Sequence, residues 1–270
     1  MGLNVPQSFI ITDRQQVIDF DFSQFVHPFI LKSINYDAVR RLDLTKLPCE
    51  TKEKTIEFVN SLPISAENPW IMQEFITGTE YCTHSTAKNG ELRVHCCCQS
   101  SAFQVNYQSV KHPQIFHWVE TFIKQMNLTG QISFDFIHSP EDDKVYPIEC
   151  NPRTHSAITM FYNHPHLADA YLNEQQDKTI EPLPDSLPVY WLYHELWRLV
   201  THLYDWQEVK KRIDIILSGK EGIFCWYDPL PFLMVYHWQI PLLILQDLTK
   251  LKGWIRIDFN IGKLVQLDGD

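Results

Sequence analysis

Residues 131–153 constrain the fold of this chain more tightly than any other stretch of its 270 residues. Two apolar-rich segments, Gln131 to His138 and Val145 to Pro152, flank the polar loop Ser139 to Lys144, the pattern of an antiparallel hairpin. Pairing them symmetrically about Asp142 sets Asp135 opposite Glu149, Ser133 opposite Asn151 and Gln131 opposite Arg153. Successive strand residues face opposite ways, so these six share one face, and Ile132, Phe134, Phe136, Ile148 and Cys150 share the other. The expectation is an apolar face on a core and a strip of polar groups behind it. Two carboxylates opposed across a ladder repel each other, so a positive group is expected between them. Asp, Glu and Asn supply hard oxygens without a His or Cys, a donor set suited to Mg²⁺ or Mn²⁺ better than zinc. Arg153 shares the face, and its planar fork suits phosphate. A solvated polar face with a chance ion pair is the ordinary alternative, and parity alone leaves both open.

The rest of the chain supplies strands and helices of mixed kind. Ser8 to Thr12 reads as a strand, as does Phe29 to Ser33, where Lys32 sits within an apolar run. Thr51 to Leu62 is an amphipathic helix, and Trp70 to Ile76 a further strand. Glu80 to Ala87 and Glu91 to Cys98 form a hairpin about Asn89-Gly90. His112 to Asn127 carries Ile115, Trp118, Val119, Phe122, Ile123 and Met126 at helical spacing, and Thr154 is expected to open another helix. Asn173 to Pro188 is polar and proline-rich, as a linker or long surface loop would be. The remainder holds six of the eight tryptophans and reads as mainly helical. The expected class is α/β of the α+β kind, with largely antiparallel strands and a helical C-terminal extension. Its expected boundaries are 1–69, 70–172 and 173–270.

Composition excludes some functions. A net charge of −10 argues against a nucleic-acid surface, which needs clustered Lys and Arg. Seven cysteines are an odd number, and Cys96, Cys97 and Cys98 are contiguous, which suits strand packing in a reducing, cytoplasmic setting. A metal site on the triplet is the weaker reading, since neighbours on a strand face opposite ways and no CxxC pair occurs. No stretch reads as a membrane span. The most apolar run, Pro231 to Leu245, is broken by His237, Gln239 and Pro241 and is expected to be a buried helix or strand pair, with peripheral membrane contact as the other reading.

Glu149-Cys150-Asn151-Pro152-Arg153 resembles the E-x-N-P-R signature of the ATP-grasp superfamily, with Asp135 one strand earlier where that family has its other metal ligand. The resemblance implies an ATP-grasp fold of two lobes that takes ATP and Mg²⁺ (or Mn²⁺). Asp135 and Glu149 would hold the metal, Glu149 bridging two ions and Asn151 binding the second, while Arg153 steadies the γ-phosphate. Lys32 would reach the nucleotide phosphates; its ordinary alternative is a lysine snorkelling from a strand end. Gln73, Glu74, Phe75 and Ile76 look like the hinge strand that reads the adenine edge, and Glu80 like the acid on the ribose hydroxyls.

Longer segments, Phe29 to Asp43, Trp70 to Ser85, Gln131 to Pro165, Trp191 to Arg198 and Ile257 to Val265, are similar to the cyanobacterial ATP-grasp enzymes of mycosporine biosynthesis, essentially from end to end. That similarity implies a ligase joining glycine to 4-deoxygadusol through a phosphorylated enol, giving mycosporine-glycine. Arg40, Arg41 and His155 are then candidates for contacting phosphate or acceptor; solvated arginines and a helix-capping histidine are equally open. The chain departs from the family in having no glycine between Ser33 and Arg41, where a glycine-rich loop is common. Relatives also carry a pre-ATP-grasp domain and an Asp-Lys pair before the segment matching Leu3-Asn4-Val5-Pro6. The chain is therefore expected to be a fragment, the product of a misassigned start, or one part of an enzyme completed by a separate N-terminal polypeptide. Two further readings stay open: a carboxylate–amine ligase with another acceptor, and a catalytically incomplete ATP-binding module.

Overall fold

The computed structural model describes residues 2–35, 37, 40, 43–100, 106–250, 254–258 and 263–266, with side chains up to residue 246 except Asn106. Its fold is mixed α/β, with mostly antiparallel sheets and helices toward the C-terminus. The chain packs as two units. One comprises Pro6–Ile76 with the described residues from Asp228 onward; the other comprises residues 2–5 and 77–227.

The first unit opens with β1 (Ser8–Ile11), α1 (Arg14–Ile18), β2 (Phe29–Ser33), α2 (Lys52–Ser61) and β3 (Trp70–Glu74). β3 lies between β1 and β2 and is antiparallel to both. The side chain of Thr51 accepts the Lys54 N–H and starts α2, a cap worth about 1 kcal/mol. Phe29, Leu31, Leu47, Val59, Trp70 and Met72 are buried together in the core of this unit.

The second unit runs through β4 (Thr79–Lys88), β5 (Glu91–Gln99), β6 (Asn106–Tyr107), α3 (Pro113–Gln125), β7 (Gly130–Ser139) and β8 (Lys144–Asn151). A 3-10 helix (Ser156–Phe161), α4 (Asp169–Leu172), β9 (Val189–Tyr190), α5 (Leu192–Thr201), α6 (Trp206–Ser218) and β10 (Lys220–Glu221) follow. Its main sheet has the order β5-β4-β7-β8, every neighbouring pair antiparallel. The hairpin expected at Asn89-Gly90 is present, and both residues have positive φ (51° and 78°), as a two-residue turn matched to strand twist requires. α3 is capped by the His112 ring, which accepts the Ile115 N–H. Ile115, Trp118, Val119 and Ile123 recur at helical spacing and are buried with Ile132, Phe134 and Phe136 of β7. One face of the sheet is thereby closed.

Asn173 to Pro188 is the long, mostly exposed loop expected, tied to β5 where Ile180 donates its N–H to the Arg93 carbonyl and accepts the His95 N–H, both at 2.9 Å. One expectation changes here. The run Pro231 to Leu245 is helical but mostly not buried. It forms α7 (Leu230–Met234), a π-helical turn (Val235–Gln239) and most of α8 (Ile240–Lys250). Tyr236 and Ile240 are buried, whereas Leu233, Trp238 and Leu245 are exposed, because one stripe of the helix finds a core and the rest does not. No helix of the described residues is long and apolar enough to cross a membrane. β11 (Trp254–Asp258) and β12 (Lys263–Gln266) pair as a final antiparallel hairpin.

Candidate functional site

The polar strip forms on the hairpin of β7 and β8. Asp135 is the register partner of Glu149, and Ser133 that of Asn151, so the two acids and the amide occupy one face. Glu149 is exposed, Asp135 and Asn151 are half-buried, and Asn151 Nδ2 donates to Glu149 Oε1 at 3.0 Å. The symmetric register stops just beyond the acids. It shifts between Asp135 and Phe136, where Phe136 pairs with Pro147, so Ile148 is the extra residue of a bulge.

Three details differ from expectation. Ile148 leaves the alternation and is half-buried, and Cys150, expected on the core face, is exposed; β8 is the sheet's edge, where no further strand among the described residues covers it. Ser133, expected on the open polar face, is 1% exposed, because β7 is an interior strand between β4 and β8. The helix expected to open at Thr154 is a 3-10 turn beginning at Ser156.

Pairing of β4 with β7 brings in groups that the hairpin alone does not reveal. Cys82 is the register partner of Asp135, Glu80 that of Ile137 and Thr86 that of Gln131. Glu80, Cys82, His84 and Thr86 thus share the face of the acids. Arg153 is exposed, and its Nη1 donates to the Thr154 carbonyl at 3.3 Å. His155 caps the 3-10 turn: its Nδ1 accepts the Ala157 N–H at 3.1 Å, and its own N–H donates to His84 Nδ1 at 3.3 Å. Tyr107 lies edge-on to His155 at 5.5 Å, and its hydroxyl is 2.6 Å from Ser156 Oγ. His84, Tyr107 and Ser156 were not legible as neighbours of the acids. The available signal was the alternation Glu80-Cys82-His84-Thr86, but a strand's parity does not name its partner strand.

The buried histidines make a pH prediction. Burial pushes His84 down to about 4, with the neighbouring His155 adding to it; burial and His84 push His95 down to about 3; burial, then the Arg153 charge, push His155 down to about 4. All three are neutral in the folded chain at pH 7. Their folded values lie below the ordinary 6.5, so the unfolded chain binds more protons between these limits and stability rises with pH. The contribution is complete above 6.5 and is lost as pH falls toward 4, at roughly 3 kcal/mol for a single such histidine. Urea unfolding between pH 7 and 4 is expected to show a steep loss, reduced in His95→Gln.

The remaining candidates lie in the first unit. Lys32, at the half-buried end of β2, donates from Nζ to Gln73 Oε1 of β3 at 2.8 Å. The Glu74 N–H donates to the Gln7 carbonyl at 2.8 Å and the Phe75 N–H to the Pro28 carbonyl at 2.7 Å, so those two donors are committed within the unit. Ile76 is buried, and Lys46 Nζ stands 4.5 Å from the centre of the Phe75 ring. Arg40 is paired with Asp37 at 3.0 Å. Arg41 lies outside the described residues.

Gly78, which leads into β4, has a φ of 155°, and a Cβ there would stand 2.1 Å from the His138 carbonyl oxygen. Only glycine permits β4 to start so close to β7. Among the described residues no group of three or more His, Cys, Asp or Glu is placed to hold a metal ion. The donor set offered by Asp135, Glu149 and Asn151 is two carboxylates and an amide, which fits a hard, largely hydrated divalent cation.

No family model matches the chain, and no curated protein matches it. Solved structures with similar arrangements include phosphoribosylamine–glycine ligase from Thermotoga maritima, 14% identical over 68% of this chain and 53% of that one, with a TM-score of 0.48. N5-carboxyaminoimidazole synthetase from Staphylococcus aureus, complexed with ADP, is 13% identical over 60% of this chain and 43% of that one, with a TM-score of 0.43. The ATP-grasp ligase PsnB, complexed with precursor peptide PsnA2 and AMPPNP, is 17% identical over 57% and 46%, with a TM-score of 0.41. The chain spans about half the length of these structures. Likeness of this degree assigns the chain neither a family nor a reaction.

Proposed function

We propose that this chain is the nucleotide-binding part of an ATP-grasp ligase that uses ATP and Mg²⁺ to join glycine to 4-deoxygadusol. The reading is carried by one observation: Asp135 and Glu149 face each other in register on one side of the sheet, with Asn151 beside them, inside the sequence Glu149 to Arg153. Mutual repulsion disfavours two acids in that relation unless a cation lies between them.

Asp135, Glu149 and Asn151 would hold the ion. A divalent cation there supplies positive charge to the oxygens of the triphosphate. Arg153, in the same unit as the acids, would present its guanidinium to the γ-phosphoryl group. Transfer of the γ-phosphoryl group to an oxygen of 4-deoxygadusol gives an enol phosphate and ADP. The glycine amine adds to the carbon bearing the phosphate, the C–O bond to phosphate breaks, and loss of phosphate and an amine proton forms the enaminone. His155, neutral at pH 7 with Nδ1 accepting the Ala157 N–H, carries its proton on Nε2 and so offers a hydrogen-bond donor to the acceptor.

The test is incubation of the purified chain with ATP, Mg²⁺, glycine and 4-deoxygadusol, following ADP and the ultraviolet absorbance of mycosporine-glycine. ADP release with a carboxylate acceptor instead would keep the nucleotide part of the reading and replace the acceptor. Calorimetric titration with ATP–Mg²⁺ separates binding from turnover; tight binding without product marks a module that needs a further polypeptide for catalysis. Absence of binding overturns the reading.

A further inference from the structure

The three consecutive cysteines and a fourth one strand away have no part in the proposed chemistry, yet the fold arranges them unequally. Cys82 on β4 is the direct register partner of Cys98 on β5, and their sulfurs are 3.1 Å apart, closer than unbonded sulfurs ordinarily approach. The two others are placed differently. Cys97 pairs with Thr83 and turns into the core under α3, and Cys96, opposite His84, points its sulfur to the Ala157 carbonyl at 3.6 Å. Directly opposed residues of an antiparallel pair have Cα atoms about 4.5–5.5 Å apart, inside the roughly 4.4–6.8 Å range that a disulfide spans. Closure therefore needs side-chain rotation and little backbone movement.

The geometry points to Cys82 and Cys98 as a reversible dithiol–disulfide pair, a cross-strand bridge that a peroxide closes and a thiol reopens. One thiol reduces the peroxide O–O bond, releasing water and becoming a sulfenic acid. The second sulfur attacks it, the S–S bond forms, and a second water leaves. Two thiols are thus oxidised by two electrons and one peroxide is reduced to two waters. Both side chains are almost wholly buried, at 3% and 0% exposure. The Cys82 hydrogen bond and burial hold the Cys98 thiol well above its ordinary pKa, which makes the reaction slow at neutral pH. The pair also adjoins the acid strip, since Cys82 faces Asp135 in register on the neighbouring strand. The inference is independent of any nucleotide bound there.

The arrangement fixes a connectivity, and the connectivity is the test. The full chain is treated with hydrogen peroxide, raised until the exposed Cys150 is fully oxidised, then denatured, alkylated and digested with trypsin. Lys88 and Arg93 lie between the two cysteines, so trypsin places them on different peptides. The expected result is a peptide pair joined through Cys82 and Cys98 that separates on reduction. It persists in Cys96→Ser and Cys97→Ser and is absent from Cys98→Ser. Recovery of Cys82 and Cys98 both alkylated, or of Cys82 joined to Cys96 or Cys97, overturns the inference. Because the wild-type chain alone gives a decisive map, a misfolded serine variant leaves the test intact.

Discussion

Asp135→Asn and Glu149→Gln are each expected to remove Mg²⁺-dependent ATP binding, with a loss of at least about 100-fold in affinity, since groups that merely support metal ligands already cost about 10–100-fold. The two variants keep the size of the side chains they replace and one acceptor oxygen, exchanging the other for an NH2 donor on the open polar face, so the fold stays. Glu149→Gln has a second expected effect of opposite sign. Glu149 is exposed and faces Asp135 across the ladder, and removing one of two opposed like charges stabilises the ion-free chain by about 0.2–1 kcal/mol. Calorimetry with ATP in the presence and absence of Mg²⁺, beside urea unfolding in EDTA, reads both. Undiminished binding in either variant, or cooperative loss of folding in Glu149→Gln, contradicts the metal assignment.

Trp118→Ala is expected to destabilise the second unit by about 3–5 kcal/mol, the range for deleting a buried large aromatic side chain. Trp118 is 5% exposed at the centre of the face that α3 lays on the sheet. It stacks on Phe122 at 5.4 Å, meets Phe134 and Phe136 edge-on at 5.1 and 5.3 Å, and donates its indole N–H to the Asn4 carbonyl at 2.9 Å. Truncation leaves a void between helix and sheet that three phenylalanines cannot refill without leaving their rotamers. Trp226, 87% exposed, is the control, and its alanine variant is expected to stay within about 0.5 kcal/mol of wild type. Urea unfolding followed by circular dichroism distinguishes the two. A Trp118→Ala chain as stable as Trp226→Ala refutes the packing account.

Much of this architecture was legible from short-range pattern. The helix over α3 follows from apolar residues at spacings of three and four, and the turn at Asn89-Gly90 from residues that tolerate positive φ. The opposition of Asp135 and Glu149 follows from counting outward from one loop, and the count holds because the bulge at Ile148 lies on the loop side of the acids. Had the extra residue fallen beyond Glu149, Asp135 would have faced Ile148 instead. The exposure of Cys150 and the burial of Ser133 were read the wrong way, since both depend on the position of their strands in the sheet.

Parity belongs to a single strand, because backbone geometry turns each side chain opposite to the last whatever lies around it. The order β5-β4-β7-β8 is a property of the packed chain. It sets Cys82 against Cys98 on one side and beside Asp135 on the other, brings the His155 cap onto His84, and leaves β8 at the edge where Glu149 meets solvent. Local sequence carried the chemistry of each side chain and the face it occupies. Burial and neighbourhood came from contacts between segments far apart along the chain, whose energies depend on every element being in place at once.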